Sequence, residues 1–319
     1  MASMITMFLQ SAYSMIDGLF VSNLIGDTAL SAVNVAWPVI AVVTAIGTGV
    51  GCGGAVMMST KQGEGKNEES NIVRANVILA LLASSIVVTI LFLVLLTPLL
   101  KLMGAEGELL RLSQIYGRVM LTGGVLQILS CGLTPLLRND NRAVSAMMIM
   151  VGGLFANLGL DFVFMYVFHM GIGGAAGASL CAQLFTTVCC LMILCTKKTD
   201  PIRLSQFMIR KEYWKKIFKT AVSPFGISLT PSLLILYHNV ACLKFGGDLA
   251  VNAYALISST VGSYRVLLIG VAEGIQPLAS YAYGAHDFHA IRKIRNKAVI
   301  TAIGVSFFLF IFTIATARF

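Results

Sequence analysis

The chain has 319 residues, of which 57% are hydrophobic and 12% charged, about half the charge of an ordinary soluble domain, roughly 25%. A mean hydropathy of +0.85, spread along the chain and not confined to one tail, leaves too little charge to clothe a water-facing surface and excludes a soluble protein. The net charge of +9 has no basic domain outside the membrane to carry it, which excludes nucleic acid as a partner and fits basic loops held against anionic lipid.

A helix crossing a hydrocarbon core of about 30 Å needs roughly 20 mostly apolar residues. Stretches poor in Asp, Glu, Lys and Arg predict spans at residues 1–16, 28–60, 75–100, 119–137 and 143–160. Residues 162–196 hold the end of the fifth helix and a whole sixth, because Gly171-Ile172-Gly173-Gly174 interrupts them. Residues 220–243, 249–283 and 298–317 complete nine helices. Residues 1–16 lack the charged start and small-residue cleavage site of a signal peptide. They are read as the first span, shortened.

The loops alternate in charge. Lys61, Lys66, Arg74, Arg138, Arg142, the eight basic residues of 197–219, and Arg292, Lys293, Arg295 and Lys297 place 17 of the 23 Lys and Arg on one side. By the positive-inside rule that side is cytoplasmic, as is the N-terminus, and nine spans put the C-terminus outside. The expected location is the cell membrane, as a multi-pass protein.

Sliding the chain against itself at an offset of 221 places Gly26-Asp27-x-Ala29 and Ala32 on Gly247-Asp248-x-Ala250 and Ala253. Gly49, Gly53, Ser59 and Gly63 fall on Gly270, Gly274, Ser280 and Gly284. Six helices separate equivalent positions, an even number, so the two copies run the same way through the membrane. Parallel repeats of this kind place substrate at their interface.

Several segments resemble the multidrug and toxic compound extrusion (MATE) transporters: Tyr13-Ser14-Met15-Ile16-Asp17-Gly18-Leu19-Phe20-Val21 with Gly26-Asp27-x-Ala29; Leu137-Arg138-Asn139-Asp140-Asn141; Asn157-x-x-x-Asp161 followed by Gly173-Gly174-Ala175; and Gly274-Ile275-Gln276-Pro277-Leu278 running to Tyr283-Gly284-Ala285. The resemblance implies an all-α integral membrane fold of two six-helix lobes that exports organic, often cationic, compounds against protons or sodium ions. On that pattern residues 1–196 are the first lobe, 197–219 a basic cytoplasmic linker, and 220–319 a second lobe cut short after three helices. The implied partners are a small organic substrate and membrane lipid; oligomeric state is not legible.

Three carboxylates fall within predicted spans: Asp17, Asp161 and Glu273. An intramembrane acid costs roughly 2.5 to 3.5 kcal/mol on insertion scales, which makes each a functional candidate. Desolvation disfavours the charged form, so such a group is suited to taking up a proton. Asn157 and Asp161 lie four apart on one helix face, as do Tyr13 and Asp17, with Gln10 and Ser14 on the same stripe. By resemblance Asp17, Asn157 and Asp161 match the family's first-lobe cation site, and Ser179 sits where the family often has threonine. Neutralisation of Asp17 and Asp161 would then bend the first helix into the substrate's space. The family's first helix often carries an early proline, and none occurs before Asp17.

The second half offers Arg265 and Glu273, eight residues apart and read as a structural or gating ion pair, with Arg265 facing an anionic substrate as the alternative. His238 falls on Asp17 at the repeat offset and is either a hydrogen-bonded packing residue or a titrating one. Trp37, Tyr254 and Tyr264 are candidates for aromatic walls that receive flat cations.

Other chemistries fail. The seven cysteines lie in apolar runs, are odd in number and lack C-x-x-C spacing, so they are small hydrophobes. His286-Asp287-Phe288-His289 lacks further metal ligands. No strand precedes Gly171-x-Gly173-Gly174, and no P-loop or hydrolase motif occurs, so neither an ATP-driven pump nor an enzyme is expected, and no cofactor beyond the coupling ion. Two rivals to drug efflux remain: a lipid-linked precursor flippase, whose cavity would need several arginines, and a non-transporting remnant.

Overall fold

The computed structural model describes residues 6, 7, 9, 25–195, 206–207 and 209–316, and these form helices and short connections. In chain order they are α1 (Asp27–Gly63), α2 (Asn67–Leu102), α3 (Gly107–Thr122), α4 (Gly124–Asn139), α5 (Ala143–Asp161), a π-helical turn (Phe162–Val167), α6 (Gly171–Cys195), α7 (Lys211–Gly284) and α8 (Phe288–Thr316). Most of the predicted first span lies outside the described residues; Thr6 and Met7 are helical.

Three elements differ from a plain series of spans. The predicted span at 119–137 is a broken one, α3 and α4 meeting at Gly123 with a bend of 58°. The buried Gln127 side chain donates across that break to the Met120 carbonyl, 3.0 Å away, satisfying a group the bend frees from the helical ladder. The fifth helix passes into the π turn directly after Asp161 before the chain breaks ahead of Gly171. Finally, α7 is helical from Lys211, inside the segment read as a linker, and runs for 74 residues through both predicted spans.

α7 is nevertheless no straight rod. The rings of His238 and Tyr254 stack at 5.0 Å, whereas 16 residues of straight helix would hold them about 24 Å apart. The helical run therefore doubles back between them, giving two limbs that correspond to the spans at 220–243 and 249–283.

α1 is the helix on which the rest is assembled. Lipid tails are as apolar as leucine, so helices in a membrane associate through close approach at small residues. The segment Gly47-Thr48-Gly49-Val50-Gly51-Cys52-Gly53-Gly54 supplies three such faces. Gly47 and Gly51 lie against Ile128 and Gly132 of α4, backbone on backbone. Gly49 and Gly53 lie against Ile217, Ala221 and Phe225 of the first α7 limb, and Gly54 against Val77 of α2. Further along, the hydroxyls of Ser113 and Ser70 donate to the α1 carbonyls of Ala32 and Met58 at 3.2 Å each.

The second limb of α7 meets the end of α1 through residues that are equivalent at the repeat offset. A Cβ on Gly63 would strike the Tyr281 carbonyl, and one on Gly284 would strike the Thr60 carbonyl. At the offset of 221 these two contacts are the same contact reflected through a two-fold axis: Gly63 is equivalent to Gly284, and Thr60 to Tyr281. Ser59 Oγ donates to the Pro277 carbonyl at 3.1 Å, and Thr60 Oγ1 to that of Ser280 at 3.4 Å. Elsewhere apolar side chains face outward, as on α2 at Ile86, Val87, Ile90, Leu91 and Val94, and on α8 at Phe307, Phe308, Phe310 and Ile311. Such stripes belong against lipid or further helices.

A Gly51→Ala substitution is expected to lower stability by about 1–3 kcal/mol, because its methyl group meets the α4 backbone and not a movable side chain. Gly226→Ala, with open space around its Cα, should be neutral or stabilising by up to about 1 kcal/mol. Thermal unfolding of the two purified variants in detergent checks the contrast.

Candidate functional site

α5 carries the first group of candidate residues. Four residues of helix bring Asn157 directly beneath Asp161, and the Asn157 Nδ2 donates to Asp161 Oδ2 at 3.0 Å. Asp161 is fully buried and Asn157 nearly so. Between Ala143 and Asp161 the helix climbs about 27 Å, so the pair sits far from the end of the molecule that bears the basic loops. The π turn that follows changes the helical pitch immediately after the acid, and its Phe162 and Tyr166 rings stack at 4.9 Å.

α6 packs antiparallel to α5, with Gly153 against Thr186 and Ala182, and Gly174 against Phe164. That register puts Ser179, which is half-buried, at the level of Asn157. Tyr13 and Asp17, the other members of the expected cation site, lie outside the described residues, as do Gln10 and Ser14.

In the second half the expected pairing of Arg265 with Glu273 is not formed. Eight residues separate them by about 12 Å along the helix and by about 80° around it. Glu273 turns instead toward the first lobe and forms an ion pair with Arg138 at the end of α4. The two side chains are largely buried, 8% and 19% exposed, and the contact crosses from one lobe to the other. Arg265 is exposed and has no ion-pair partner among the described residues.

His238 and Tyr254 stack across the α7 reversal with ring planes 7° apart, and His238 Nδ1 lies 2.8 Å from the Leu234 carbonyl one turn earlier. Tyr264 bonds to Thr313 of α8 through the two hydroxyls at 2.6 Å, which ties it to the helix pair and away from a cavity wall. Trp37 on α1 is 52% exposed.

Residue reasoning did not single out a second charged cluster at the basic end. Arg74 Nη2 donates to Asp140 Oδ1 at 3.0 Å, both side chains being 3% exposed. Gln62 Nε2 reaches the same oxygen at 3.2 Å, and Arg142 stands 3.9 Å from the other. Burial pushes the Asp140 carboxyl up from its ordinary value while Arg74 and Arg142 pull it back. The cluster ties α1, α2 and α4 together. Its signal in the sequence was Arg74, a cation at the edge of an apolar run with no acid three or four residues away in its own helix.

No group of three or more His, Cys, Asp or Glu suited to a metal ion occurs among the described residues.

The MatE family model matches residues 2–163 and 227–319. The chain is 26% identical over 310 residues to the multidrug export protein MepA of Staphylococcus aureus strain N315, a match covering 95% of this chain and 67% of MepA. It is 24% identical over 302 residues to the MepA of Staphylococcus saprophyticus, covering 94% and 66%. A crystal structure of MATE in the bent conformation superimposes with a TM-score of 0.91 at 26% identity, over 99% of this chain and 71% of that one. An outward-facing multidrug resistance MATE family transporter of the MOP superfamily gives 0.93 at 26%, over 99% and 70%. The chain thus spans about two thirds of the length of the curated relatives it matches.

Asp140→Asn removes the negative charge from the buried Arg74–Asp140 pair and is expected to cost about 3–5 kcal/mol of stability. The loss is measured as a fall in the detergent unfolding midpoint, and Arg111→Gln, which breaks the exposed Glu108–Arg111 pair, should cost no more than about 1 kcal/mol.

Proposed function

The chain belongs to the MatE family, a family of multi-pass membrane transporters, and on that premise we propose that it is a secondary active efflux transporter that exchanges organic compounds, drugs among them, for protons or sodium ions. The observation that carries this reading is the buried Asn157–Asp161 pair inside a membrane-spanning lobe. An acid so placed is costly as a free ion and is held where a small cation can neutralise it. The MepA relatives are multidrug export proteins, which points to the same substrate class.

Asp161 takes up the coupling cation, and Asn157 fixes the carboxylate's orientation through its amide. Asp17 contributes a second carboxylate, Tyr13 a hydroxyl, and Ser179 a second hydroxyl from α6. Neutralising the acids removes the penalty for burying them, and the altered hydrogen bonding to Asn157 changes the packing of the first span against α5. Substrate and cation thereby exclude one another, which is the requirement for antiport. Proton coupling needs only the carboxylates; sodium draws in additional backbone or hydroxyl oxygens.

The lobe contacts of Ser59, Thr60 and Gly63 gather at the α1 end that bears Lys61. With the basic loops cytoplasmic, as the positive-inside rule requires, the lobes meet on the inward side. The protein resides in the cell membrane with its N-terminus in the cytoplasm. Two first-lobe acids in predicted spans, Asp17 and Asp161, against one intramembrane arginine outside an ion pair, Arg265, favour a cationic or neutral cargo over a lipid phosphate.

In proteoliposomes carrying an imposed proton or sodium gradient, efflux of a fluorescent organic cation such as ethidium is expected to fall at least about tenfold in Asp161→Asn, equivalent to about 1.4 kcal/mol. Asp17→Asn should fall likewise. Unchanged rate and ion dependence in Asp161→Asn would overturn the assignment.

A further inference from the structure

We propose that the Arg138–Glu273 ion pair is the lock that holds the basic side of the protein shut, and that it breaks each time the transport path opens to that side. Arg138 ends α4 in the first lobe and Glu273 stands on the second limb of α7 in the second. Unlike Arg74–Asp140, whose two members stay within one lobe, this pair has to separate if the lobes rock apart. It adjoins the two-fold contacts of Ser59, Thr60 and Gly63 with the same limb, so it closes the same end of the molecule.

Its chemistry suits a reversible closure. Cutting one partner from a buried pair strands the other charge and is costly. Parting the two in the course of opening is different, because the opening that separates them also admits water to both. Rupture then exchanges Coulomb attraction for hydration, and re-closure reverses the exchange without a net burial of unpaired charge.

The surroundings connect the lock to the cation site. A small cavity beside the pair is lined by Thr6 and Met7 of the first segment and by Ala143, Ala146, Met147 and Met150 of α5. α5 continues upward from Met150 to Asn157 and Asp161, and the first segment continues from Met7 to Asp17 in sequence. α5, which bears Asp161, and Thr6 and Met7 of the first segment thus border the lock. A change in how Thr6 and Met7 pack on α5 is felt directly at the place where Arg138 meets Glu273.

A native reporter stands beside the pair. Cys52 of α1 is 6% exposed and lies close to Gln276, Glu273 and Arg138. Opening of this side should uncover it.

The proposal rests on the alternating-access reading above, and the test is chosen to separate the two. In a variant retaining Cys52 as its sole cysteine, labelling by a membrane-impermeant maleimide is followed in vesicles whose basic side faces the reagent. With the pair intact, labelling should be slow. Glu273→Gln and Arg138→Gln should each accelerate it by about tenfold or more, as the open population rises, and the exchanged double variant Arg138→Glu/Glu273→Arg should restore protection. Unchanged labelling in both single variants overturns the lock, as does failure of the exchange to protect. Thermal unfolding is read alongside: acceleration explained by loss of the fold at the assay temperature overturns it in favour of a purely structural tie. No substrate is needed, so unaltered Cys52 labelling refutes the lock, whereas absent cation-driven flux in wild-type vesicles refutes the transport reading.

Discussion

Close backbone approach at glycine is the constraint on which this structure depends. In water a helix bundle is held by removing apolar surface from solvent, but between helices already bathed in lipid that driving force is absent, and contact itself must supply the attraction. α1 meets the constraint with glycines spaced so that three faces of one helix are bare, toward α4, α7 and α2. Because α1 serves all three neighbours at once, the two lobes and the broken span share a single reference rod. The positions of Arg138 and Glu273 follow from how α4 and α7 are set against it, and that of Asp161 follows at one remove, since α5 packs on α4 and α6.

Polar chemistry is distributed along that frame by depth. Far from the basic loops stands the buried Asn157–Asp161 pair, the proposed cation site. Near them stand two ion pairs of different character: Arg74–Asp140, which fastens helices of one lobe, and Arg138–Glu273, which bridges the lobes. A charge pair inside one rigid unit adds rigidity only, while one between units makes their separation conditional. The same residue chemistry therefore serves two purposes, decided by which helices supply the partners.

How much of this was legible in the sequence depends on the range of the signal. Hydropathy located the spans because the membrane imposes a length on each, and the Gly171 break and the Asn157–Asp161 spacing are local properties of one segment. The repeat was legible through residues such as Gly63 and Gly284, whose identity is forced by the contact they make with each other's helix. What remained hidden was the partner of Glu273: eight residues of spacing suggested Arg265, but pairing across lobes depends on a helix rotation that no local pattern encodes. The bend at Gly123 was hidden for a related reason, since Gly123-Gly124 lies within an otherwise continuous apolar run and its repair by Gln127 is visible only once Met120 is seen opposite. The extension of α7 back to Lys211 was masked by charge, because Lys211, Lys215, Lys216 and Lys219 read as a loop although Ile217 between them is buried against Gly53.

The contact between Gly63 and Gly284 has a consequence for the speed of motion. Most packed surfaces interlock, so parting them requires side chains to leave one rotamer and find it again on return, a search with an entropic toll at each passage. Here the touching surfaces are smooth main chain, with carbonyls of Thr60 and Tyr281 against hydrogen-bearing α-carbons. Little must be disentangled when they separate: the hydroxyls of Ser59 and Thr60 let go of the Pro277 and Ser280 carbonyls, and no large side chain at Gly63 or Gly284 has to find its rotamer again when they meet. A closure built of such toothless faces presents little steric friction to its own opening.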